Sequence, residues 1–192
     1  MDTAALDALW EQRWAGYSKA PYELRTIKDR WVRFHALPHA KRYPETEAEY
    51  RTVLSRHNTI LAELVTGDAL LVVTSGYSEQ PVPRVPARSA PAVAVQPRAT
   101  YWCSVCMDDE PGLEIYLHLY VDHVAWRPGR LDPLLRKVAD DTVANVLLAP
   151  PDLSWLYHPY DGGMDVVLPT TAARDALRDR HRAWLSPTAF RG

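Results

Sequence analysis

The sequence predicts an α+β fold, with a mainly antiparallel mixed sheet covered by helices in a single domain. Several short segments with strand-like patterns follow one another without helices between them, which is typical of antiparallel pairing. One long segment between Thr46 and Gly67 carries helix signals at both ends. Of the 192 residues, 47% are hydrophobic and 24% are charged, so the chain can bury a core without metal or disulfide staples. We therefore predict one domain over residues 1–192.

The first part of the chain is predicted to hold a helix, a strand and a second, longer helix. Apolar residues at helical spacing from Thr3 to Trp14 predict a short amphipathic helix within residues 1–20. Residues Asp29 to Leu37 alternate in polarity, which predicts a strand with one apolar side. Thr46 to Glu49 form a capping-box pattern, and apolar residues then follow along one helical face until Gly67.

The middle of the chain is predicted to contain three strands and a loop. Asp68–Ser75 is a compact apolar run, consistent with a buried strand. Residues 78–99 are rich in proline and show no face to bury, so we predict an extended loop, with partner recognition as the alternative. Thr100–Cys106 and Leu113–Trp126 read as strands, joined by an acidic turn at Met107–Gly112.

The last part is predicted to begin with a helix in which Asp132 is the cap and Pro133 the first residue. A buried strand at Ala144–Ala149 follows, and then a hairpin over Trp155–Leu168. Its Asp-Gly and Gly-Gly steps predict positive φ angles in a tight turn. A final helix starts at Thr170 or Thr171 and ends before Pro187.

Charge and composition exclude several classes of protein. The formal charge of -2 gives no global attraction to nucleic acid or anionic lipid. The apolar runs are too short to span a bilayer, and Met1-Asp2-Thr3 does not open a signal peptide, so we expect a cytoplasmic protein. Two cysteines are too few for a disulfide framework, which agrees with a reducing compartment.

One candidate site is the polar side of the Leu113–Trp126 strand. His118 and Asp122 share this side, and an antiparallel neighbour could bring His158 or Asp161 to meet them. Such a group could perform general acid–base chemistry. The alternative, which we favour, is the polar side that any half-exposed sheet requires.

A second candidate site is the hairpin, where special residues are densest. Proline, aspartate and glycine are common in turns for conformational reasons, which is enough to explain their presence here. The functional interpretation is a polar rim offered to a partner or ligand, formed by Tyr157, His158, Tyr160, Asp161 and Asp165.

Two further patterns have simple structural explanations. Cys103 and Cys106 share the spacing of a redox motif or a zinc half-site, but no helix follows them and no second cysteine pair exists, which favours ordinary sheet cysteines. The basic run from Arg33 to Arg42 could bind phosphate or nucleic acid. Acidic residues interleave with it, which favours a salt-bridged surface.

Several stretches together resemble a bacterial family, domain of unknown function 3885, in an actinobacterial-type form. They cover most of the chain outside the proline-rich loop and the termini: Arg30–Pro38, Lys41–Tyr43, Glu47–Leu64, Met107–Gly112, Arg130–Leu135 and Trp155–Val166. The resemblance implies a cytoplasmic bacterial accessory protein. It implies no activity, catalytic residue or cofactor.

The sequence favours a non-enzymatic protein-binding factor, immunity- or antitoxin-like. Catalytic signatures are missing, and seven Trp and ten Tyr supply the aromatic anchors that interfaces use. One alternative is a hydrolase or other acid–base enzyme using His118, Asp122, His158 and Asp161. The other is a nucleic-acid-associated protein using Arg33–Arg42. We expect no cofactor, no metal and no membrane association, and the sequence leaves the oligomeric state open.

Overall fold

A computed structural model describes residues 2–83, 88–108 and 114–185. These residues form one seven-stranded sheet in the order β1-β7-β6-β5-β2-β4-β3. Every strand pair in it is antiparallel, which confirms the predicted α+β class. The strands are β1 Trp31–His35, β2 Ala69–Ser78, β3 Thr100–Asp108, β4 Ile115–Ala125, β5 Leu147–Ala149, β6 Leu156–Tyr160 and β7 Gly163–Val167. The helices are α1 Thr3–Trp14, α2 Glu47–Leu64, α3 Ala90–Val95, α4 Asp132–Ala139 and α5 Thr171–Arg180.

Local capping signals fix where most of these helices begin. The Asp2 carboxylate accepts hydrogen bonds from backbone amides in the first turn of α1. Thr46 and Glu49 form the predicted capping box at the start of α2. The Thr170 hydroxyl caps α5. Asp132 differs from the prediction, because it lies inside α4 and its carboxylate accepts a hydrogen bond from Asn58 of α2 instead.

Helices cover both faces of the sheet. One apolar cluster packs α2, α4 and α5 against one face, and Val72, Tyr157 and Val166 are among the strand residues there. The opposite face packs against α1 and a 3-10 turn at Pro21–Thr26. Because both faces are covered, the central strands bury side chains in both directions. No helix within the described ranges is long and apolar enough to cross a bilayer.

The proline-rich segment contains more structure than predicted. Ser89 caps the short helix α3, Pro91 lies in its first turn, and Ala92 is fully buried. Arg88 pairs with Gly76 of β2 in an isolated antiparallel bridge. The prediction of an extended loop with no face to bury is therefore wrong for Ala90–Val95, which form a helix with Ala92 buried. Residues 84–87 lie outside the described part, as do 109–113 of the predicted acidic turn and Pro187 at the predicted end of the last helix.

The hairpin β6–β7 is confirmed, but its turn is built differently from the prediction. Tyr160 and Gly163 pair across a two-residue turn in which no residue has a positive φ. Gly163 is required for another reason. A Cβ atom at this position would lie within 3.0 Å of the Phe34 carbonyl oxygen on β1. The glycine therefore allows the close approach of two backbones.

Candidate functional site

The predicted polar rim of the hairpin is turned inward. Asp165 is 1% exposed, and its carboxylate accepts two hydrogen bonds from the Arg33 guanidinium, at 2.7 and 2.8 Å. His158 lies opposite Asp165 in the strand register and is buried, with Nδ1 2.7 Å from the Val146 carbonyl oxygen. The Arg33 guanidinium lies over the Tyr160 ring, with 5.1 Å between its central carbon and the ring centroid. Asp165 and His158 are therefore buried in the fold, whereas Tyr160 is half-buried.

The basic run before α2 is largely neutralised. Arg42 donates to the buried Asp161 carboxylate at 2.6 Å. Lys41 pairs with Glu45 and Glu49. These contacts, with the Arg33–Asp165 pair, agree with the salt-bridged surface favoured from the sequence.

Tyr157, the fifth residue of the predicted rim, points to the other face and into the core. Its hydroxyl lies 2.7 Å from Nδ1 of His57 on α2 and 3.1 Å from the Met164 sulfur. Burial raises the pKa of Tyr157 well above its ordinary value and lowers the pKa of His57 to about 3. Both side chains are therefore neutral at physiological pH.

His118 forms a hydrogen-bonded group that the sequence did not suggest. Its two ring nitrogens each lie 2.7 Å from a serine oxygen, Ser78 Oγ at Nε2 and Ser104 Oγ at Nδ1. The Tyr101 hydroxyl lies 2.8 Å from Ser104 Oγ and extends the chain. Burial lowers the pKa of His118, so the neutral ring donates to one serine and accepts from the other. Ser78 on β2 and Ser104 on β3 lie beside His118 because both strands pair with β4. Local sequence patterns do not predict which strands pair or in which register.

The four acid–base candidates do not converge. His118 and Asp122 lie on β4, whereas His158 lies on β6, and strands β2 and β5 separate them. Three strand spacings correspond to about 14 Å. Asp161 lies at the hairpin turn and pairs with Arg42. Asp122 instead lines an open cavity beside α3 and α4.

The two outer edges of the sheet differ. At the β1 edge, the Arg174 guanidinium donates to the Trp31 carbonyl at 3.2 Å, and the Arg56 guanidinium donates to the His35 carbonyl at 2.8 Å. These arginines come from α5 and α2 and occupy carbonyls that face away from β7. The β1 edge is therefore closed to another strand.

The β3 edge is open by comparison. Within the described ranges, no strand pairs with its outer side, and no residue beyond β4 donates a hydrogen bond to the backbone of residues 101–107. Two register irregularities interrupt its pairing with β4. Met107 and Ile115, at the far end of the β3–β4 pair, are 39% and 44% exposed. This edge combines free backbone with apolar side chains.

Comparison with known proteins identifies the family. A family model described as Domain of unknown function (DUF3885) matches residues 21–189. The chain belongs to this family. All seven strands of the DUF3885 sheet lie inside the matched range, whereas α1 lies before it. No curated protein and no solved structure matches the chain.

Both cysteines of the DUF3885 chain are free thiols on β3. Cys103 packs against the α1 cluster, and burial raises the pKa of its thiol to about 12. Cys106 is exposed, and its thiol donates to the Asp108 carbonyl. In the described ranges, no group of three or more His, Cys, Asp and Glu side chains is placed to hold a metal ion. The burial and the raised pKa of Cys103 favour a packing role for this side chain.

We expect the DUF3885 protein to lose stability as the pH falls below about 6.5, because of His57. Its pKa is about 3 in the fold and 6.5 as a free group, so between these values the unfolded state binds more protons. Stability should then fall by about 1.4 kcal/mol per pH unit for this histidine. Burial lowers the pKa of His118 and His158 in the same direction.

Urea denaturation at several pH values measures this effect. His57→Asn should reduce the slope of stability against pH, since asparagine can bond to Tyr157 without titrating. The matched control is His123→Asn, at an exposed position on β4. If the slope of stability against pH is unchanged in His57→Asn, His57 is not the cause of the stability loss at low pH.

Proposed function

We propose that this DUF3885 protein is a non-enzymatic binding protein whose free β3 edge receives an extended strand of a protein partner. The difference between the two sheet edges carries the proposal. Arg56 and Arg174 close the β1 edge, whereas no described residue beyond β4 pairs with the backbone of residues 101–107, which lies beside exposed apolar side chains. Strand addition at such an edge provides main-chain hydrogen bonds for affinity and side-chain contacts for specificity.

The sequence that links β3 to β4 is acidic, which supports a basic partner segment. The sequence from Asp108 to Glu114 contains four carboxylates and no Lys or Arg. A strand that alternates apolar and basic residues would match both this charge and the exposed Met107 and Ile115. The immunity- or antitoxin-like role predicted from the sequence fits such a partner, because toxins that act on nucleic acid need basic surfaces.

The two alternative functions have less support. An acid–base enzyme built on His118, Asp122, His158 and Asp161 needs these side chains together, and the strand order keeps β4 and β6 apart. A nucleic-acid site at Arg33–Arg42 needs free cations, and Arg33, Lys41 and Arg42 are ion-paired. The cytoplasmic location and the assignment to an actinobacterial-type form of the family stay predictions from the sequence.

A photo-crosslinking amino acid at Met107 tests the proposal in the full chain, expressed in its native host. We expect crosslinks to one protein, confined to one extended segment of it, as read by mass spectrometry of crosslinked peptides. Adding Ile115→Lys should abolish them, because the new charge beside Met107 would repel a basic strand. Ile115 is 44% exposed, so the variant should fold normally.

The matched control carries the crosslinker at Val93, an exposed apolar residue on α3. Crosslinking that is equal at Val93 and Met107, or that Ile115→Lys leaves intact, would contradict the proposal. Crosslinks from Met107 to nucleic acid instead of protein would also contradict it. An absence of crosslinks from Met107 in the native host would also count against a β3 interface.

A further inference from the structure

An open cavity of about 520 Å³ lies between the end of α3, the end of β4 and the start of α4. This volume is in the range of small-molecule sites, roughly 300–1,000 Å³. Its walls combine apolar residues such as Val95, Val124 and Leu131 with charged ones. The cavity is separate from the β3 edge and independent of the proposed function.

Three charged side chains of this cavity form no ion pair within the described part of the chain. Arg98, Asp122 and Arg130 all line it, and none of their side chains forms a hydrogen bond or a salt bridge with another described residue. The Asp122 carboxylate has only a longer-range electrostatic interaction with Arg88. Elsewhere, many charged side chains are ion-paired, including Arg33, Lys41 and Arg42. Two cations and one anion are therefore left available at a single concave place.

A buried amide provides a second, independent sign of a ligand. Gln96 lines the cavity and is 5% exposed, yet its Oε1 has no hydrogen-bond partner in the described structure. Arg88 holds this residue in place by donating to the Gln96 carbonyl at 2.6 Å. A buried acceptor without a partner costs free energy, so its retention beside a cavity points to a donor that arrives from outside.

We propose that the cavity binds a small amphoteric molecule, with an amine and a carboxylate on an apolar body. The amine would donate to Asp122 and to Gln96 Oε1. The carboxylate would pair with Arg98 and Arg130, since guanidinium groups match carboxylates in geometry and charge. The apolar body would lie against Val95, Val124 and Leu131, in the arrangement usual for such sites.

Isothermal titration calorimetry of the full chain tests this site with L-leucine, L-phenylalanine and 6-aminohexanoate, which carry the two charges at different separations. We expect saturable binding of at least one probe in the millimolar range or tighter. Leucinamide lacks the carboxylate and 4-methylpentanoate lacks the amine, so each should bind at least about tenfold more weakly than leucine if leucine is bound.

Substitutions assign each charge to its partner. Asp122→Asn should weaken the bound amino acid about tenfold or more and leave 4-methylpentanoate unaffected. Arg98→Gln and Arg130→Gln should weaken the binding of the amino acid and of 4-methylpentanoate, which both carry a carboxylate. They should leave the binding of leucinamide unaffected. Arg127→Gln, a nearby exposed arginine outside the cavity, is the matched control. The site is overturned if no probe binds, or if the charge-deleted analogues bind as well as the parent in all variants.

Discussion

Replacing Arg33 with methionine is expected to destabilise the protein by about 3 kcal/mol, because it leaves the Asp165 carboxylate buried without a counter-ion. Asp165 is 1% exposed and receives both of its strong hydrogen bonds from Arg33. The Arg33 side chain is 38% exposed, which places the expected effect at the lower end of the range for broken buried pairs. Urea denaturation at neutral pH measures the change.

The double variant Arg33→Met/Asp165→Val separates the loss of the pair from the cost of a lone charge. Valine suits a central strand and removes the buried carboxylate, so the double variant should be more stable than Arg33→Met alone. A double-mutant cycle gives the coupling between the two positions. If Arg33→Met stays within about 0.5 kcal/mol of the wild type, the pair is not important for stability.

Gly163→Ala is also expected to cost about 3 kcal/mol, through steric conflict between β7 and β1. The added Cβ would lie within 3.0 Å of the Phe34 carbonyl oxygen, a backbone atom that cannot move without disturbing the β1–β7 pairing. Thermal and urea unfolding measure the loss. The change should also increase hydrogen exchange in β1, since this edge strand must shift to make room.

Gly162→Ala is the matched control, one residue away in the same turn. Its Cβ would meet only side-chain atoms, at 3.3 Å from the Tyr160 ring and 3.5 Å from Arg42 Cγ. Neither glycine has a positive φ, so backbone strain does not distinguish them. Equal destabilisation by the two substitutions would contradict the close-approach explanation.

The sequence predicts the elements of this fold well, because their signals are local. The capping box at Thr46–Glu49 fixes the start of α2, and the alternation in β4 identifies a strand from side chains two residues apart. The helix α3 was missed although Ser89 and Pro91 form a helix-start signal, since the surrounding prolines outweighed it.

The candidate sites are predicted less well, because their partners are distant in sequence. Polar residues that alternate along β6 and β7 were expected to face solvent, but Arg33, 132 residues before Asp165, allows the carboxylate to be buried. His118 was expected on an exposed face, and its serine partners Ser78 and Ser104 come from two neighbouring strands. Strand order and register decide such contacts, and neither follows from local patterns.

The closed β1 edge also limits how far chains of this protein can polymerise through their sheets. A continuous intermolecular sheet grows only if every added chain presents another free edge. Arg56 and Arg174 remove that possibility at β1, so pairing at β3 would stop after one strand from a partner or one two-fold contact between copies. The architecture thus favours complexes of fixed stoichiometry over fibres.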